Sequence, residues 1–96
     1  MKITEALPVG TVVKLRNAEK RAVIMGIFQQ VEENGNKEFF DYMGVPYPEG
    51  FIGAENTVLF QQSDVETVFS LGFSDIERQS FVLDAGKHMS NDKNAE

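Results

Sequence analysis

The chain has 96 residues, 42% of them apolar, with eight phenylalanines and no cysteine. This suffices for one small domain with a modest core, and it excludes disulfides and thiolate metal sites. The net charge of −6 is uneven, because residues 32–77 hold ten acids and one base, which argues against nucleic acid and anionic membranes as partners. No apolar run approaches the roughly 20 residues of a membrane span, and the segment MKITEALPVG lacks the apolar stretch of a secretory signal. We therefore expect a cytoplasmic protein with a single globular domain over residues 1–86 and a disordered polar tail over residues 87–96.

Alternating and β-branched residues predict five short strands, which cover residues 11–15, 21–31, 39–45, 57–60 and 67–71. Gly26, inside the second strand, indicates a bulge where the sheet coils. The Asn34-Gly35 pair between the second and third strands is the strongest short-range signal for a hairpin. Residues 65–71 have the spacing of either a helix or a strand, and the early Gly72 favours a turn followed by a strand.

Two patterns of the capping-box type precede the C-terminal part of the chain. The first begins at Ser63 and predicts one helical turn, and the second begins at Ser74 and predicts a helix that Gly86 ends. Apolar side chains would pack this helix on the sheet, namely Ile76, Phe81, Val82 and Leu83. The sequence thus predicts an α+β fold, mainly β: a small, strongly curved antiparallel sheet or half-barrel of about five strands with one C-terminal helix.

No set of residues in the sequence predicts catalysis. His88 is the one histidine, and it falls in the predicted tail, where nothing would position it. The serines lack a neighbouring base, and the acid pairs at residues 32 and 33 and at residues 64 and 66 indicate exposed loops without further metal ligands. No glycine-rich phosphate loop is present. We expect a protein that is not an enzyme and that uses no metal and no cofactor.

The most informative stretch covers residues 39–53, FFDYMGVPYPEGFIG. It holds both tyrosines, two of the three prolines and no basic residue. Most of its rings are expected in the core, whereas Tyr47 and Phe51 lie in a loop rich in proline and glycine and are better candidates for an exposed contact. The predicted partner-binding residues are Tyr42, Pro46, Tyr47, Pro48, Glu49 and Phe51.

Four segments together resemble domain-of-unknown-function family 4176, small proteins of Gram-positive bacteria. They are LPVGTVVKL from residue 7, RAVIMGIFQ from residue 21, FDYMGVPYPEG from residue 40 and VLFQQSDVETVFSLGF from residue 58. The resemblance runs from about residue 7 to residue 81, and its most specific part is the YxGxPYPEG pattern at residues 42–50. It implies an accessory of type VII secretion toxins, such as an adaptor or chaperone for export, and it supplies no catalytic residue.

Two other functions remain open for a protein of this kind. An immunity protein would neutralise the toxin domain, with its acidic middle covering a basic cleft. A self-associating structural or regulatory domain would use an exposed strand of the curved sheet. In the leading interpretation, the partner is the secreted toxin or one of its accessory proteins.

Overall fold

The computed structural model describes residues 1–92, and the side chains of residues 1–89. These residues form β1 (Val12–Leu15), β2 (Arg21–Glu33), β3 (Asn36–Pro46), β4 (Val58–Phe60), β5 (Val65–Ser70) and one α-helix, α1 (Ile76–Asp92). Short 3-10 turns lie at Ile3–Glu5, Ala54–Asn56 and Gln62–Asp64. The strands form one antiparallel sheet in the order β4-β3-β2-β1-β5, which is not closed into a barrel. The predicted α+β, mainly β class is confirmed.

The long β2–β3 hairpin follows the sequence signals closely. Asn34 and Gly35 form its turn with φ angles of 55° and 81°, the left-handed pair that suits the twist of a hairpin. Ile24 pairs with Gly44 but Gly26 pairs with Met43, so β2 carries one extra residue at this point. This is the bulge predicted near Gly26, and it bends the sheet.

The core lies inside the curve of the sheet. Val13, Ile24 and Tyr42 are fully buried there, and the ring of Tyr42 lies 5.4 Å from that of Phe60. Thr11 is the buried polar residue of this region, and its hydroxyl is fully used: it donates to the carbonyl of Pro8 at 2.6 Å and accepts from the amide of Gly72 at 3.0 Å. These two bonds hold the segment after β5 against the segment before β1.

The N-terminal segment covers the core, a role that the sequence did not predict. Ile3 and Ala6 are buried, and the amide of Leu7 donates to the hydroxyl of Tyr42 at 2.9 Å. Helix α1 then packs on the turn Ile3–Glu5. Val82 of the helix is buried, Gly86 lies close to Ile3, and the guanidinium of Arg78 donates to the carbonyl of Ala6 at 2.9 Å.

The predicted apolar stripe of α1 is therefore corrected. Val82 is buried, but Ile76, Phe81 and Leu83 are exposed. The reason is geometric, because successive helical residues are separated by about 100° around the axis. When Val82 faces the protein, Phe81 and Leu83 necessarily point to its two sides.

Three details at the ends of elements also differ from the predictions. The carboxylate of Asp75, rather than Ser74, caps α1 by accepting from the amide of Arg78 at 3.0 Å. The turn before β5 is a 3-10 turn capped from Gln61 rather than from Ser63. Helix α1 continues past Gly86 to Asp92, so residues 87–92 of the predicted tail are helical, and residues 93–96 lie outside the described part. No helix in the described part is long and apolar enough to cross a membrane.

Candidate functional site

The Pro/Gly loop, residues 46–53, continues directly from β3, and backbone hydrogen bonds hold its first part, residues 46–50. The amide of Tyr47 donates to the carbonyl of Arg21 at 2.9 Å, which extends the β2–β3 ladder into the loop. The amide of Gly50 then donates back to the carbonyl of Pro46 at 2.7 Å. Gly50 has a φ of 81°, a conformation that glycine adopts without strain. Residues 46–50 therefore form an ordered, hydrogen-bonded turn.

A salt bridge ties the same loop to the turn between β1 and β2. The ammonium of Lys20 lies 2.8 Å from the carboxylate of Glu49, and both side chains are about half exposed. The hydrogen bond from Lys20 holds the pKa of Glu49 below its usual value. An exposed pair of this kind contributes little to stability, but it orients two charged groups beside the loop.

Five of the six predicted partner-binding residues lie in this loop. Tyr47 is 40% exposed and Phe51 is 62% exposed, and Pro48 and Glu49 are exposed beside them, while Pro46 is partly buried at the end of β3. The sequence therefore located a contiguous segment that presents two rings, a proline and a carboxylate to solvent.

Tyr42, the sixth predicted residue, is corrected to a core residue. Its side chain is fully buried and forms no part of the exposed surface. Its hydroxyl accepts from the amide of Leu7 and donates to the side-chain oxygen of Gln62. The neighbouring carboxylate of Asp41 accepts from the amide of Gln62 at 2.7 Å. The difference arises because Tyr42 lies within β3 and faces the core, whereas Tyr47 follows the end of β3 and lies in the exposed loop.

The burial of Tyr42 predicts how the protein responds to alkali. Burial raises the pKa of the Tyr42 phenol above 10.0, although the hydrogen bond from Leu7 opposes this shift. The folded state therefore holds the phenolic proton more tightly than the unfolded state. The resulting stabilisation is complete below a pH of about 10, the unfolded pKa, and is lost as the pH rises through the folded pKa.

In the Tyr47→Phe variant, Tyr42 is the one remaining tyrosine. We expect its phenol to ionise at a higher pH in the folded protein than in the unfolded protein. Its phenolate absorbance should appear above the pH at which a free tyrosine ionises, and it should appear together with the loss of the folded circular dichroism signal. Urea-unfolded protein of the same variant is the control. Titration of the folded variant at the same pH as the unfolded control would contradict the buried position of Tyr42.

Arg21 and Phe69 belong beside the Pro/Gly loop, although the sequence did not single them out as part of it. The guanidinium carbon of Arg21 lies 4.0 Å above the centre of the Phe69 ring, which is a cation–π contact. The carbonyl of Arg21 also accepts from the amide of Tyr47, so the backbone of Arg21 bonds to the loop while its side chain contacts the half-exposed Phe69. Finding this pair from sequence would require the register of three strands, since β5 reaches β2 only across β1.

Residues 6–81 match the family model described as Domain of unknown function (DUF4176). The chain belongs to this family. The matched part of the DUF4176 domain contains all five strands, the Pro/Gly loop and the first turns of α1. Comparison with curated proteins and with solved structures gave no match.

The residues considered for chemistry do not come together in this DUF4176 domain. His88 lies on α1, where its Nδ1 is 2.9 Å from the carbonyl of Asp84. The carbonyl of Ser63 accepts from Arg16 at 3.1 Å, and Glu66 forms a salt bridge with Lys14 at 2.9 Å. Within the described residues, no group of three histidine or acidic side chains could hold a metal ion.

Proposed function

We propose that this DUF4176 domain is a non-enzymatic protein-binding accessory that acts in the cytoplasm as an adaptor or chaperone for export of a type VII secretion toxin. One observation carries the binding role: Tyr47 and Pro48 are exposed on a turn that backbone hydrogen bonds hold in place, and Phe51 is exposed directly after that turn. The link to toxin export rests on the family resemblance alone.

A loop held in this way favours binding for an energetic reason. Ordering a flexible loop on association costs free energy, and a loop that is already ordered avoids most of that cost. Aromatic side chains add a large contact area with few rotatable bonds, which is why they are frequent among the residues that dominate interfaces. Tyr47 combines both properties, and Phe51 adds a second exposed ring directly after the hydrogen-bonded turn.

The charges around the loop support the same interpretation. Protein interfaces commonly have an apolar centre and a polar rim. Here the ring of Phe69 lies against the guanidinium of Arg21, the carbonyl of Arg21 accepts from the amide of Tyr47, and Lys20 forms a salt bridge with Glu49 of the loop. Such a rim favours a partner with polar groups in matching positions, and it contributes to specificity more than to affinity.

The test is to recover partners from the native cells with tagged protein, comparing the wild type with the Tyr47→Ala/Phe51→Ala variant by quantitative mass spectrometry. We expect the double variant to recover at least about tenfold less toxin, since exposed aromatic residues of this kind dominate binding energy. The matched control is Phe39→Ala, because Phe39 is 64% exposed but lies on the distant part of the β2–β3 hairpin.

Two results would contradict this proposal. In the first, the double variant loses several kcal/mol of stability but binds normally per folded molecule, which would make these rings structural. In the second, the control variant loses as much toxin as the double variant. Recovery of the toxin through its N-terminal targeting region supports the export role.

An immunity protein is the second candidate, favoured by the net charge of −9 over residues 32–77. An acidic surface of this kind would associate with a basic toxin domain at a rate that falls steeply with added salt. Capture through the C-terminal toxic domain, together with that salt dependence, would select immunity over export.

A further inference from the structure

The face of the sheet that is turned away from the core carries apolar residues. Successive residues of a strand point to opposite faces, so the strand neighbours of the buried Val13, Ile24, Tyr42 and Phe60 face outward. Five of these neighbours are apolar, and we call them the outer apolar patch: Val12, Val23, Met25, Met43 and Leu59. The solvated face of an antiparallel sheet is commonly polar, so a patch of this kind indicates an interaction site.

The register of the strands shows that the outer apolar patch is continuous. Val12 pairs with Val23, and Val23 pairs with Val45, which is 6% exposed and lies in the middle of the patch. Met43 pairs with Leu59 and follows Val45 on the same face of β3. Paired residues on one face have Cβ atoms about 4.5–5.5 Å apart. Side chains from four neighbouring strands, β1 to β4, therefore form one surface.

The size of this patch suits one helix. Four strands at a spacing of about 4.8 Å give about 14 Å in one direction, and two residues along each strand give about 7 Å in the other. A helix is about 10–12 Å wide with its side chains, and three turns are about 16 Å long. A second sheet would need apolar residues along the whole length of the strands, whereas residues 32–38 of the β2–β3 hairpin are polar. Met25 is 39% exposed, and methionine side chains adapt to the relief of a helix.

The charges beside the patch favour an acidic partner. Arg21 and Lys14 are paired across β2 and β1, so two cations lie directly opposite each other on the outer face. Like charges in this position are destabilising. Glu66 compensates Lys14 in a salt bridge of 2.9 Å, whereas the guanidinium of Arg21 contacts Phe69 and forms no salt bridge among the described residues. Arg21 is exposed and can therefore accept a carboxylate from another molecule.

We propose that the outer apolar patch binds an amphipathic helix of a partner protein. The apolar side of that helix packs on Met25, Met43 and Leu59, and carboxylates beside it pair with Arg21. Burial of apolar surface supplies the affinity, and the charge pair supplies orientation and specificity. Docking of a helix by its apolar face is a recurring mode of peptide recognition. The proposal rests on the sheet and does not depend on the function proposed for the Pro/Gly loop.

The experiment measures the binding of two designed peptides to the purified full chain by isothermal titration calorimetry. Both are alanine-based helices of about 18 residues, long enough to be partly helical alone, with leucine at every third or fourth position. One carries glutamate at its polar positions and the other carries lysine. At about 0.15 M salt, exposed charges more than about 8 Å apart are largely screened, so the net charge of −6 contributes little. We expect the glutamate peptide to bind about tenfold more tightly than the lysine peptide.

Substitutions in the patch test its position. Met25→Asp and Leu59→Asp should each weaken binding of the glutamate peptide by about tenfold or more, because a charge would be buried under the helix. Both side chains are more than one-third exposed, so each variant should keep its fold, as circular dichroism can verify. The matched control is Phe39→Asp, which adds the same charge at an exposed ring of the distant hairpin and should leave the affinity unchanged.

A charge reversal tests the role of Arg21. Arg21→Glu should weaken the glutamate peptide and strengthen the lysine peptide, so that the preference between them is inverted. Lys37→Glu makes the same change of charge on the distant part of the hairpin and should leave the preference as it is in the wild type.

Four results would overturn the proposal. They are equal affinity for the two peptides, no binding of either peptide at about 1 mM, an equal loss in Phe39→Asp and in the patch variants, and a dimer of the purified chain that Met25→Asp dissociates. The last result would show that a second copy covers the patch. Peptide binding is measured with purified protein and toxin recovery is measured in cells, so each of the two proposals can fail while the other holds.

Discussion

Gly72→Ala is expected to destabilise the domain by about 3 kcal/mol or more. A Cβ atom at this position would lie 2.9 Å from the backbone nitrogen of Thr11 and closer still to the carbonyl of Val9. These are backbone atoms, which cannot rotate away as a flexible side chain could. The close approach also brings the amide of Gly72 to the hydroxyl of Thr11. The substitution would therefore separate the segment after β5 from the segment before β1.

Gly86→Ala is the matched control for this substitution. A Cβ there would meet the Cγ2 atom of Ile3 at 3.5 Å, which is an ordinary contact, and alanine is favoured over glycine inside a helix by up to about 1 kcal/mol. Urea unfolding of both variants at one protein concentration gives their free energies of unfolding. The dependence of this free energy on urea concentration should be the same in both variants and the wild type. Wild-type stability in Gly72→Ala would contradict the packing of the two segments.

Tyr42→Ala is the second substitution with a large effect, expected at about 3–5 kcal/mol. The ring is fully buried and packs on Phe60 at 5.4 Å between centres, so its removal leaves a cavity at the middle of the core. Urea unfolding of the Tyr42→Ala variant measures this loss of stability. Tyr47→Ala is the control, because its half-exposed ring should contribute about 1 kcal/mol or less.

Tyr42→Phe separates the hydroxyl from the ring. This variant keeps the packing but leaves the amide of Leu7 and the side chain of Gln62 without a partner, which should cost about 1–3 kcal/mol. A loss in Tyr42→Phe as large as that in Tyr42→Ala would mean that the ring contributes nothing. Equal losses for Tyr42→Ala and Tyr47→Ala would contradict the assignment of Tyr42 to the core and Tyr47 to the surface.

Most of the sheet could be predicted because its turns and bulge are determined by residues close together in sequence. The Asn34-Gly35 turn fixes the β2–β3 hairpin, and the bulge near Gly26 bends it. The strand after the turn at Gln62–Asp64 was likewise predicted from the short distance to Gly72. The exposed loop residues Tyr47 and Phe51 followed from the proline and glycine that surround them.

Contacts between distant parts of the chain were not predictable in this way. The cover formed by Ile3 and Ala6 comes from a short segment with no periodic pattern, and the helix packs on that cover through Val82. The sequence could show that α1 has apolar residues but not which one faces inward, since Phe81, Val82 and Leu83 point in three directions. The pairing of Arg21 with Phe69 depends on the placement of β5 beside β1.

The central claim is that the Pro/Gly loop contacts a protein partner. Photo-crosslinking in the native cells is the most direct test of this claim. A photoreactive phenylalanine analogue would replace Phe51 in one strain and Phe39, an equally exposed residue on the distal hairpin, in another. We expect a specific crosslink to the toxin or its accessory protein from position 51 and none from position 39. A crosslink from position 39 alone, or from neither position while the partner still co-purifies, would contradict it.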